Sequence, residues 1–315
     1  MSLPYLQPYL GLSNGLNTLH AVGGGGPGGE PTRGVYAGGV EGSSVNTMEY
    51  ITIASTGNAT DFGDLTNTSN IGGGCSNRNR GCHSLGNDSG GISNVINYIT
   101  IGTTGNALDF GDLTVARNNC GACASDTRGC WGGGDTGSDQ NVIDYITIAT
   151  TGNATDFGDL TVARRATTAL SDWTTRGVWA GGANENTVID YITIATTGNA
   201  TDFGDLTVAR RSAAAVASET RGCFGGGATA SHSPQNVIDY ITIATTGNAT
   251  DFGDMTISAQ QRCGVSSYTR GCFGGGTATT NVIDYITIAS TGNATDFGDL
   301  SASRAGMALT GMSGS

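Results

Sequence analysis

An internal repeat narrows the folds open to this chain more than any other feature. The phrase NVIDYITIATTGNATDFGDLTVARR, from Asn141 to Arg165, recurs along the chain with small changes, and its central tyrosine marks the period. Tyr50, Tyr98, Tyr145, Tyr191, Tyr240 and Tyr285 stand 48, 47, 46, 49 and 45 residues apart. A second block precedes each tyrosine: RGVYAGG from Arg33, RGCHSLG from Arg80, RGCWGGG from Arg128, RGVWAGG from Arg176, and RGCFGGG from both Arg221 and Arg270. Tyrosines and Arg-Gly blocks agree on six units. A unit this short cannot bury its apolar face alone, so a core forms only where units stack.

Each unit reads as four short strands. In the fifth, Ala213 to Ala217 is strand A, a turn follows at Glu219 to Arg221, and Gly222 to Gly226 is strand B. Val237 to Ala244 is strand C, Gly247-Asn248 makes a turn, and Thr250 to Thr256 is strand D around Phe252. Both alternating faces of strand C are largely apolar, as in a strand covered on both sides. An open solenoid would also stack such units. Closure into a ring is favoured by size: strand A is built from Ala, Gly and Ser, which fit where blades crowd toward an axis, and the bulky rings fall in strands B to D. The first unit starts at strand B, and Arg304 to Gly311 (RAGMALTG) supplies one further strand A. The expectation is an all-β, six-bladed propeller over residues 33–315, closed by pairing that last strand with the first blade so that no edge is left open.

Composition limits the function. Gly makes up 53 of 315 residues but clusters rather than recurring every third position, which excludes collagen. The 14 basic residues, all Arg, face 26 acids for a net charge of -12, which argues against a nucleic-acid surface. Residues 1–12 lack a basic n-region and no later stretch approaches a membrane span, so the reading is a soluble chain with neither a classical export signal nor a span.

Each unit resembles a kelch repeat: Arg before a small-residue strand, an aromatic followed by Gly-Gly, a tyrosine strand, then a second aromatic. The resemblance covers roughly residues 33 to 315. It departs in having Phe (62, 110, 157, 203, 252 and 297) where kelch repeats usually carry Trp, and Ser-Leu-Gly in the second unit in place of Gly-Gly. The phrase DYITIATTGNATDFGDLT is similar to repeats in structural proteins of tailed bacteriophages, particularly those of aquatic bacteria. That likeness implies a non-enzymatic virion protein, assembled in the bacterial host cytoplasm in multiple copies and exposed on the particle. A glycan- or protein-binding adhesin is the alternative.

The charged residues have two readings each. The DFGD pairs, Asp61/Asp64 to Asp296/Asp299, are either one calcium site per blade or, more simply, acceptors for turn amides and partners for the repeated arginines. Arg33, Arg80, Arg128, Arg176, Arg221 and Arg270 lie in the A to B turns. Arg117, Arg164, Arg165, Arg210, Arg211 and Arg304 lie between strand D and the next strand A, on the opposite face. Kelch proteins commonly bind partners there, which makes Arg117, Arg165, Arg211 and Arg304 candidates, since Arg recognises carboxylates bidentately. Asn184 and His232 join them from the B to C loops, which vary most among the units. The alternative is that these arginines pair internally with Asp144, Asp190, Asp239 and Asp284 of strand C.

Cys82, Cys130, Cys223 and Cys272 occupy the strand B position that Val35 and Val178 hold elsewhere, as small buried hydrophobes do. Cys75 to Cys82 and Cys123 to Cys130 are candidate disulfides across the A to B hairpin in an oxidising medium. Cys120-x-x-Cys123 has no second pair at finger spacing, so no metal is expected. The three histidines, His20, His83 and His232, stand in unrelated contexts, and neither cofactor nor catalytic set is expected. Residues 1–32 lie outside the repeat. The uncharged run around Pro4, Tyr5, Leu6, Pro8, Tyr9 and Leu10, joined by a Gly-rich hinge, is expected to anchor the propeller to other virion proteins.

Overall fold

A computed structural model of the chain describes residues 30–184, 186–277, 280–306 and 311–314; the arm lies outside them. Six four-stranded antiparallel sheets follow one another as blades. The third is representative: Gly121–Ala124, Arg128–Gly132, Val142–Thr147 and Thr155–Asp159 are its strands A to D. Each strand A reads small because it lines the axis. Around that axis the blades are stitched by serines: Ser76 Oγ donates to the Ser313 carbonyl at 2.9 Å and accepts from the Ser313 amide at 2.9 Å. Ser313 Oγ in turn accepts from the Ser266 amide at 2.9 Å, and Ser266 Oγ from the Ala217 amide at 3.2 Å.

The ring is closed by the chain ends, as the sequence predicts, but not by the residues predicted. Met312–Gly314 is the closing strand, pairing with Arg33–Val35 of strand B. Arg304 ends the connection from strand D, and Ala305 bridges Val40. The expected strand from Arg304 to Gly311 therefore starts too early. Arg304 stands seven residues after Phe297, as Arg117 does after Phe110, so it belongs to the turn and not to the strand.

The two most repeated motifs, TGNA and DFGD, are halves of one joint between blades. In the turn of blade 2, the Gly105 amide donates to the Phe62 carbonyl and the Ala107 amide to the Asp64 carbonyl, both at 2.8 Å. Asn106 Oδ1 accepts from the Asp64 amide at 3.0 Å. The joint recurs at every boundary, and its last copy sets Asn58 of blade 1 against the Asp299 amide of blade 6 at 3.1 Å. The glycine within DFGD is required there. At Gly158, with φ +145°, an added Cβ would sit 2.5 Å from the Gly198 carbonyl oxygen of the next blade.

The core is divided among the blade boundaries. Between blades 2 and 3, Cys82, Ile96 and Phe110 pack on Trp131, Ile146 and Ile148. Between blades 6 and 1, Cys272, Ile283 and Phe297 pack on Tyr36, Ile51 and Ile53, so closure is sealed by an apolar cluster of the same kind as the internal boundaries. Each such side chain is worth about 1.5–3 kcal/mol. Among the described residues no helix is long and apolar enough to cross a membrane.

Candidate partner-binding surfaces

The arginines of the A to B turns are consumed by the fold. Each guanidinium lies over the strand C tyrosine of its own blade, from 4.2 Å for Arg33 over Tyr50 to 4.5 Å for Arg128 over Tyr145. Each tyrosine meets the DFGD phenylalanine edge-on, as Tyr145 does Phe157 at 5.8 Å. The same arginine then donates to the next blade: Arg128 Nη1 to the Ile194 carbonyl at 3.0 Å, and Arg270 Nη1 across the closure to Ile53 at 2.9 Å.

The second ring is buried. Arg117 pairs with Asp144 at 2.9 Å, Arg164 with Asp190 at 2.9 Å, Arg210 with Asp239 at 2.8 Å and Arg262 with Asp284 at 2.6 Å, all with side chains 0% exposed. Arg304 takes Glu49 at 3.3 Å and Glu41 at 2.5 Å. Arg117 and Arg304 are therefore not surface contacts as expected of them; strand C supplies an acid that neutralises each inside the protein. Arg262, out of step in the sequence, joins this ring. The DFGD carboxylates do not: the strand C acids take the arginines, and the main chain of the second Asp serves the joint. Burial pulls the guanidinium pKa of Arg164 and of Arg210 below the usual range, opposed by Asp190 and Asp239. Thr161 Oγ1 also donates to Asp190 at 2.5 Å, tying each acid to the preceding blade.

Blade 2 lacks both partners at once. Ser69 holds the place of the arginine and Asn97 that of the acid, so no unpaired charge is buried. Asn97 Oδ1 accepts from Thr66 Oγ1 at 2.9 Å, as the acids do elsewhere. His83, in the aromatic position of strand B, meets Ser69 Oγ through Nε2 at 2.9 Å. Burial pulls its imidazole down to about 4. An unfolded histidine titrates near ~6.5, so between that pH and 4 the unfolded chain binds a proton that the folded chain refuses. Stability is full above pH ~6.5 and falls by about 3 kcal/mol as pH drops to 4. Urea titrations at pH 7 and pH 4 check this: the parent loses about 3 kcal/mol more than His83→Phe.

On the loop face the structure brings together Arg165 and Asn184. Arg165 Nη1 donates to Asp139 Oδ1 at 2.9 Å, and Asn184 Nδ2 donates to the other oxygen at 2.8 Å. Arg165 remains 39% exposed. Arg211 and Asn184 line one hollow with Gly182, Arg210, Ala228 and Ala230. Arg211 pairs through its backbone with Ala228, and its side chain has no ion pair among the described residues. His232 is exposed, with φ +61°, at the tip of the next loop, its amide donating to Thr229. These four, Arg165, Arg211, Asn184 and His232, share a surface; Arg117 and Arg304 lie beneath it.

The cysteine pairs are in register, Cys75 opposite Cys82 and Cys123 opposite Cys130, but all eight cysteines are free, buried thiols. Burial pushes the Cys82 thiol up to about 12 and Cys75 well above its usual range, which suppresses thiolate chemistry. Among the described residues no group of Cys, His, Asp or Glu is arranged to hold a metal ion.

The opposite face carries what sequence reasoning missed. There Trp173 and Tyr268 meet edge-on at 6.0 Å across the axis, and Arg78 donates to the Tyr268 hydroxyl. The signal was an insertion: Asp172–Thr175 is four residues, whereas 77–79, 125–127, 218–220 and 267–269 each have three. Glu30 is fixed on this face too, its carboxylate accepting from the Thr269 amide at 3.2 Å and hydroxyl at 2.6 Å. Compared with known proteins, the chain matches no family model and no curated protein.

Proposed function

We propose that this protein is a non-enzymatic structural component of a tailed-phage particle, a rigid kelch-like propeller held by its N-terminal arm and displaying the opposite face. The observation that carries this reading is the two-sidedness of the ring. The chain reaches the first blade through Glu30, held at Thr269 on the face of the A to B turns. The B to C loops, where the six units differ most, emerge on the other face. An anchor on one side and variable loops on the other suit a display module. The ionic side chains of both arginine rings are engaged within and between blades, which suits a body that must stay rigid. The resemblance of DYITIATTGNATDFGDLT to repeats of phage structural proteins points to a particle as the assembly that it joins.

The experiment is incorporation. A variant lacking residues 1–25 is expected to fold with an unchanged circular dichroism spectrum, yet to be missing from purified particles. Full incorporation without the arm would reject anchoring. A second reading, a glycan- or protein-binding adhesin, is favoured by the half-exposed Arg165, Asp139 and Asn184 network between blades 3 and 4. A glycan array that stays blank at high protein concentration would count against its glycan form.

A further inference from the structure

The turn that presents Trp173 is clamped. The Asp172 carboxylate accepts from the amides of Thr174, Thr175 and Arg176 at 3.0, 2.7 and 2.9 Å, and from Thr175 Oγ1 at 2.5 Å. Trp173 itself is held at φ +68°, a conformation costly for a bulky residue. Such backbone persists where the surroundings over-determine it, and it clusters at binding sites. The indole lines the axial cavity together with the small residues of the A strands, among them Ser171, Ala217 and Ser266. Its Nε1 is hidden from solvent with no hydrogen-bond partner among the described residues.

We infer that this aromatic mouth is the docking site, within the same molecule, for the chain's own segment Leu3 to Leu12. Three observations select that occupant. First, the chain outside the described residues leaves from the rim: Glu30 is bonded to Thr269, the residue next to Tyr268. The 18 residues from 12 to 30 reach up to ~60 Å, ample to return to the axis, and so short a tether gives an effective concentration near ~1 mM. Second, LPYLQPYLGL is uncharged and carries two Pro-Tyr-Leu steps. Left in water such a segment would be an adhesive patch, so a free chain gains by covering it. Third, the chemistries match. Proline-bearing extended segments dock on aromatic surfaces, and Trp173 with Tyr268 supplies one at this rim. Docking stores the arm until a particle protein competes for it. The inference concerns the free chain and stands or falls separately from anchoring.

The test titrates a synthetic peptide of residues 1–16 into the protein lacking residues 1–25, read by calorimetry and by tryptophan emission. Trp131 and Trp179 are fully buried, so a change in emission reports Trp173. Saturable binding is expected. Affinity should fall at least ten-fold for Trp173→Ala, and less for Trp173→Phe, which keeps a smaller ring. The full chain should bind the peptide at least ten-fold more weakly than the shortened one, because its own arm fills the site. No binding at millimolar peptide would overturn the inference, as would equal binding by Trp173→Ala at an unchanged melting point. Equal affinity for the full and shortened chains would refute occupancy by the molecule's own arm. Incorporation into particles is scored apart, so failure of either idea leaves the other readable.

Discussion

Removing residues 311–315 is expected to cost about 6 kcal/mol or more and to promote aggregation. The deletion takes away Met312, buried to 1% exposure, whose loss alone is worth about 2–5 kcal/mol. It also removes the pairing of Met312–Gly314 with Arg33–Val35 and the bonds of Ser313 to Ser76 and Ser266. Each hydrogen bond contributes about 0.5–1.5 kcal/mol. Strand B of blade 1 would then face the axis with an open edge, a template for intermolecular pairing. Urea unfolding and light scattering, side by side with the intact chain, measure both effects. A shortened protein of unchanged stability would show that the closing strand is ornamental and that the contacts between blades 6 and 1 close the ring without it.

Asp190→Asn is expected to destabilise the protein by about 3–5 kcal/mol, because it leaves the Arg164 guanidinium buried without its counter-charge. Arg164 keeps only carbonyl acceptors, Val188 at 2.8 Å and Trp179 at 3.3 Å. These satisfy donors without neutralising charge. Blade 2 shows the compensated alternative, with Ser69 and Asn97 replacing both partners. Arg164→Met combined with Asp190→Asn should therefore be more stable than Asp190→Asn alone, although it removes more interactions. Denaturant midpoints for the two single variants and the pair give the coupling directly. If Asp190→Asn costs under about 1 kcal/mol, the buried ring is not the constraint that its burial implies.

Unit count, strand order and turn positions were legible in the sequence because each rests on local chemistry: a period, β-branched runs, and glycines at turns. What the motifs do was harder to read, because TGNA and DFGD bond across copies. Order along a chain does not tell which copy's Asn58 meets which copy's Asp299. The fate of the arginines turned on depth. Asp144 opposite Arg117 was visible as an internal partner, but only the packed blade shows that no room remains for an external one. The closing strand was misplaced for a related reason. Arg304 looked like the start of a small-residue strand, whereas its spacing from Phe297 matched the ring arginines that precede strand A. Trp173 is not legible from the repeat because it sits in the one A to B turn that carries an inserted residue, where the other units offer no counterpart.

Electron cryo-microscopy of the native particle tests the proposed role most directly. The expected image is a six-bladed disc seated with its A to B turns and Glu30 toward the particle and the loops of Asn184 and His232 pointing outward. Particles without the protein, or a disc seated with those loops against the shell and the arm-bearing face in solvent, would contradict it.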